Sequence, residues 1–84
     1  MQIEQIQLLI EQGIPGANVT LDGDGTHFQT IVVSDEFAGK NMVQRHQMVY
    51  KTLGDKIGRE IHALSIKALT IDEWKKQQDL SLQR

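Results

Sequence analysis

A small α+β domain, one three-stranded sheet with helices packed on it, is the fold class that this 84-residue sequence predicts. Three observations predict it. Apolar residues recur at helical spacing at the start and in the middle of the chain, they alternate with polar residues on either side of an Asp-Gly turn, and they form a near-continuous run late in the chain. The predicted order of elements is α-β-β-α-(α)-β-α. A chain of this size supports one small core, so residues 1–84 are expected to form a single domain.

Each element carries its own signal. From Met1 to Gln12, residues Ile3, Ile6, Leu9 and Ile10 fall on one helical face, and Gly13 followed by Pro15 stops the helix. In "ANVTLDGDGTHFQTIVV", Val19 and Leu21 precede the turn residues Asp22-Gly23-Asp24-Gly25, and Phe28 and Val32 follow them. This pattern is that of a hairpin with a tip of roughly four to five residues. Met42, Val43, Val49, Tyr50 and Leu53 return to helical spacing, with Asn41 placed to cap and Gln44 three positions on. Gly54 and Gly58 bracket a short helical or turn segment. Ile61, Ala63, Leu64, Ile66 and Ala68 then make the apolar run of a strand covered by helices. In "TIDEW", Thr70 and Glu73 form a capping box that opens a last helix carrying Trp74 and fraying over residues 78–84.

Composition narrows the function. With 39% hydrophobic and 24% charged residues, the chain belongs with folded globular domains rather than disordered or membrane chains. Its apolar runs are too short to span a bilayer, and its amphipathic start lacks the basic flank of a signal peptide, which points to the cytoplasm. The absence of cysteine excludes disulfides, a thiol nucleophile and any thiolate metal site built by this chain alone. A net charge of −2 weighs against nucleic-acid binding through the molecule as a whole.

Few motifs carry chemistry. The "DGDG" turn lacks the further oxygen ligands of a calcium loop, and "GDGTHF" lies inside a hairpin, where a phosphate-binding loop does not occur. Its glycines and aspartates are turn residues. No serine sits in a recognisable motif with His and Asp, and the chain is not expected to be an enzyme. Three histidines remain: His27 at the hairpin mouth, His46 inside the second helix and His62 at the start of the last strand. His46, four residues after Met42, is expected as a packed side chain with a satisfied nitrogen, and on pattern alone His62 reads the same way. Lys40, Arg45, Lys51, Lys56 and Arg59 cluster along the second helix and the turn after it. They are either a solvated face, interrupted by Asp55 and Glu60, or a surface for phosphates or a protein partner.

Taken together, the segments resemble the BolA family over nearly the whole chain. The pattern F-x-G, five residues, R-H-x-x-V-Y appears as Phe37-Ala38-Gly39 followed by Arg45-His46-Gln47-Met48-Val49-Tyr50, and Phe37, Gly39, His46, Val49 and Tyr50 take the place of its structural motif. "IHALSIKALT" and "DEW" look like the family's last strand and closing helix, and "GDGTHFQ" like the hairpin of its short IbaG-type branch. The resemblance implies a KH-like α+β fold of the class II type, in which the second helix and its turn look like a helix-turn-helix. It also implies a monothiol glutaredoxin partner and a [2Fe-2S] cluster shared in the mixed complex. Glutaredoxin and glutathione there supply thiolates, and His62 and His27 take the places of the strand and loop ligands.

The isolated chain would bind no cluster, and would be a monomer or weak homodimer when free. Two imidazoles can replace two thiolates on one iron, as in Rieske centres. Neutral imidazole is the ligating form, so acid should weaken the mixed complex. The function so implied is iron–sulfur trafficking or iron and stress regulation. The alternative is a DNA-binding transcriptional regulator using Arg45, Lys51, Lys56 and Arg59.

Overall fold

A computed structural model of the protein describes residues 2–24, 27–56 and 63–82, the side chains of residues 55 and 79–82 excepted. Its elements are helix α1 (Ile3–Gly13), strands β1 (Asn18–Gly23) and β2 (His27–Val33), helix α2 (Met42–Leu53), strand β3 (Ala63–Leu69) and helix α3 (Ile71–Leu82). Single 3-10 turns precede and follow α2 at Asp35–Phe37 and Gly54–Lys56. The strands form one sheet in the order β1-β2-β3, with β2 antiparallel to β1 and parallel to β3. The parallel pairing requires a crossover, and α2 provides it.

One face of the sheet is covered. Val19 on β1, Phe28 and Val32 on β2 and Ala68 on β3 point to the same side and are buried against Ile6 and Ile10 of α1 and Val49 and Leu53 of α2. Burying one side chain of the size of Phe28 contributes about 1.5–3 kcal/mol, and these residues share a single core. The two helices also meet each other closely: a β-carbon at Gly13 would run into Thr52 of α2. Phe37, from the turn before α2, is fully buried in the same cluster, and Gly39 supplies the positive φ of 76° that swings the chain from that turn into the helix.

The local signals read from the sequence act as expected. Asn41 Oδ1 accepts the Gln44 N–H at 2.8 Å while Gln44 Oε1 accepts the Asn41 N–H at 3.0 Å, closing the N-terminus of α2. At α3, Thr70 Oγ1 accepts the Glu73 N–H at 3.2 Å, and Glu73 Oε1 accepts the Thr70 N–H at 2.8 Å.

The hairpin tip has the predicted length, since the last pair, Gly23 opposite Phe28, encloses four residues. Four expectations are corrected. The second face of strand β3 is covered only at its end: Ser65 and Lys67 are exposed there, whereas Leu69 on the same face is buried. Helix α3 extends through Leu82, so most of the segment expected to fray is helical. In α2 the buried stripe is Arg45, Val49 and Leu53, whereas Met42, Val43 and Tyr50 are exposed at 53%, 65% and 39%. A charged residue takes the first place of that stripe, which a count of apolar residues cannot register. His46 is half-buried beside it, and its Nε2 is buried with no hydrogen-bond partner among the described residues, in place of the satisfied nitrogen expected.

Arg45 itself is 8% exposed, and its fork is spent inside the molecule. Nε donates to the Lys40 carbonyl at 2.9 Å, and Nη1 donates to the Ala68 carbonyl at 3.1 Å and to Glu73 Oε1 at 2.6 Å. Nη2 donates to Glu73 Oε2 at 3.3 Å. Arg45 therefore does not belong to the surface cluster of cations in which its sequence position put it.

The hydrogen bonds from Arg45, followed by the Thr70 amide, hold the Glu73 carboxyl well below its ordinary 4.5, at about 2. A depressed carboxylate contributes stability that is complete above the ordinary value and is lost as pH falls from 4.5 towards 2. The stability difference between the wild type and Glu73→Gln, measured by urea denaturation, should therefore be full at neutral pH and shrink through that interval. Arg45→Lys, which cannot reach three acceptors with one fork, should cost about 2 kcal/mol at neutral pH in the same measurement.

Candidate functional site

The hairpin mouth is organised by the two-residue period of β2. Phe28 is 2% exposed and anchors the strand in the core, so the residues on either side of it, His27 and Gln29, stand on the open face of the sheet. His27 is the first residue of β2, and its side chain is 73% exposed.

The turn residues hold that position. Asp24 Oδ1 accepts the His27 N–H at 2.8 Å, and the Asp24 N–H donates to the His27 carbonyl at 3.1 Å. Asp24 Oδ2 lies 3.8 Å from His27 Nδ1. Asp22 Oδ1 accepts the N–H of Gly23 at 2.8 Å. Both carboxylates thus serve the turn, as expected from its composition. Gly23 is required by close approach: a β-carbon there would stand 2.5 Å from Phe28 Cδ1 and 2.7 Å from the His27 carbonyl oxygen.

Across the sheet, the parallel register sets His27 opposite Ala63, the first residue of β3. His62, the other ligand expected from the sequence, lies outside the described residues, as does Arg59. In sequence, Ala63 directly follows His62. Among the described residues, no three His, Cys, Asp or Glu side chains come together to hold a metal ion. His27 is a single exposed imidazole at the first residue of a paired strand.

The cations are dispersed. Arg45 is buried, Lys56 is half-buried, and Lys40 and Lys51 are exposed at opposite ends of α2. Beside the second half of α2, an open groove of about 560 Å³ is lined by Gln44, Gln47, Met48, Tyr50, Lys51 and Gly54, which is more amide and apolar than cationic. The feature that the sequence did not single out is the carboxylate of Asp24 beside the His27 ring. The three-residue spacing across a Gly-containing turn was its only signal. No described helix is long and apolar enough to cross a membrane.

Comparison with known proteins gives a consistent answer. A family model described as BolA-like protein matches residues 7–73. The acid stress protein IbaG of Escherichia coli K12 is 38% identical over 82 residues, covering 96% of this chain and 98% of that protein. The DNA-binding transcriptional regulator BolA of the same organism is 40% identical over 57 residues, 68% of this chain; the match spans only 54% of that protein's length. Among solved structures, a BolA homologue from Coxiella burnetii superposes with a TM-score of 0.81 at 37% identity, covering 89% of this chain and 97% of that one.

The dependence of the hairpin on Gly23 can be measured directly. Gly23→Ala should lower stability by about 1–3 kcal/mol in urea denaturation, since Phe28 or the His27 backbone must move. The amide resonances of residues 27 and 28 should shift with it.

Proposed function

Because this chain belongs to the BolA-like protein family, we propose that it is a non-enzymatic adapter that pairs with a monothiol glutaredoxin and shares a [2Fe-2S] cluster with it. Its role is iron–sulfur trafficking or iron and stress regulation. His27 and His62 are this chain's two ligands, and glutaredoxin and glutathione supply the thiolates.

The observation that carries this reading is the register of β2 on β3. It places the exposed His27 opposite Ala63, next in sequence to His62. A chain without cysteine offers only nitrogen and oxygen donors, and imidazole is the one that serves iron in a mixed thiolate set. A [2Fe-2S] cluster held there would supply one-electron chemistry or would itself be the cargo. His27, exposed at the first residue of β2, would be reachable by the partner. Exposed Lys40, before α2, and Lys51, in its last turn, fit an accessory part of the docking surface.

A second reading has one observation in its favour, the name of the E. coli regulator that matches part of this chain. Against it stand the net charge of −2 and the withdrawal of Arg45 into the core.

Anaerobic mixing with a cluster-loaded monothiol glutaredoxin and glutathione, followed by visible absorption and circular dichroism, tests the proposal. The wild type should give a new spectrum, and His62→Ala and His27→Ala should each lose it. A spectrum equal to that of the glutaredoxin alone for all three proteins would falsify the adapter reading. Duplex DNA binding that weakens steeply between low and physiological salt would then favour the regulator.

A further inference from the structure

We propose that Asp24 is the positioning residue for His27: its carboxylate keeps the imidazole proton on Nδ1 and so leaves Nε2 as the metal-facing donor. The inference deepens the adapter reading and rests on it.

Its ground is the geometry of the turn. One carboxylate meets one histidine by two routes, Oδ1 through the His27 N–H at 2.8 Å and Oδ2 at 3.8 Å from Nδ1. The reverse contact, from the Asp24 N–H to the His27 carbonyl at 3.1 Å, fixes the two backbones against each other. The position of the carboxylate beside the ring is therefore set by the fold of the hairpin. Asp22, the other acid of the turn, is turned to the N–H of Gly23.

The chemistry follows from which edge of the ring faces the charge. At 3.8 Å the carboxylate is beyond hydrogen-bond reach of Nδ1, so it acts as a neighbouring negative charge. It favours the tautomer whose N–H dipole points towards it, with the proton on Nδ1. A metal takes the lone pair of the unprotonated nitrogen, which makes Nε2 the donor. Metal-binding histidines commonly carry a carboxylate or carbonyl on the other ring nitrogen, where it fixes tautomer and ring orientation and raises ligand basicity. The two side chains are 73% and 70% exposed, so a docking partner can approach Nε2. In this arrangement the hairpin supplies both the ligand and the group that aims it.

The test uses Asp24→Asn in the full chain. Asparagine keeps an oxygen that can accept the His27 N–H, so the turn is retained while the charge is removed. Long-range ¹H–¹⁵N spectra of the imidazoles, recorded on the protein alone with the rings neutral, should show Nδ1–H at His27 in the wild type. The variant should show a shift towards Nε2–H. In the mixed complex with glutaredoxin and glutathione, Asp24→Asn should still form the cluster spectrum but lose the cluster to a chelator on the order of tenfold faster. An unchanged tautomer, or release at the wild-type rate while His27→Ala abolishes the spectrum, overturns the role of Asp24 and leaves the adapter reading standing. A new spectrum that survives His27→Ala overturns the role of Asp24, because Asp24 then has no ligand to position, whereas a spectrum equal to that of the glutaredoxin alone for the wild type overturns the adapter reading itself.

Discussion

One guanidinium holds the far parts of this fold to each other. Arg45 leaves α2, crosses the end of β3 at the Ala68 carbonyl and reaches the first turn of α3 at Glu73, while its Nε secures the Lys40 carbonyl before its own helix. Burying a cation is costly unless it is paired and its donors are used, and here both conditions are met. Glu73 performs two tasks with one side chain: it closes the cap of α3 on the Thr70 N–H and accepts the arginine fork. The start of α3 is thereby held by a polar junction, with Ile71 and Asp72 exposed and Trp74 half-buried.

What could be read in the sequence was what is local. Both capping boxes, at Asn41 with Gln44 and at Thr70 with Glu73, need only a three-residue spacing to be recognised, and both are present. The alternation of Val19, Leu21, Phe28 and Val32 likewise fixed the covered face of the hairpin. The length of the tip was legible too, although Gly23 itself stays in the ladder, where the Phe28 ring lies over it. Arg45, by contrast, was misread. A cation on a helix ordinarily belongs to the surface, and the groups that draw this one inward, Ala68 and Glu73, are distant in the chain.

The candidate site divides along the same line. The outward aim of His27 follows from the burial of Phe28 next to it and was within reach of pattern alone. Its position opposite Ala63 was not, because nothing in either segment specifies a parallel register between them. The pairing of His27 with His62 as ligands came from resemblance to a family, which records non-local contacts that periodicity does not. Asp24 was legible as a turn residue, and its second relation, to the imidazole, became visible only when the turn had a shape.

The mixed sheet has a consequence for the order of assembly. Strands β1 and β2 are joined by a short turn, and hairpins of this kind close in about 1–10 μs. Strand β3 can join β2 only after the intervening chain has crossed the sheet as α2, and such non-local closure is slow because the loop entropy is paid before the contacts form. The row that sets residue 27 beside residue 63 is therefore completed with the last strand to arrive. A growing or partly folded chain presents its hairpin imidazole singly, and only the finished sheet sets residue 27 opposite residue 63. On the adapter reading proposed above, cluster acquisition would lie downstream of folding, with the topology itself acting as the checkpoint.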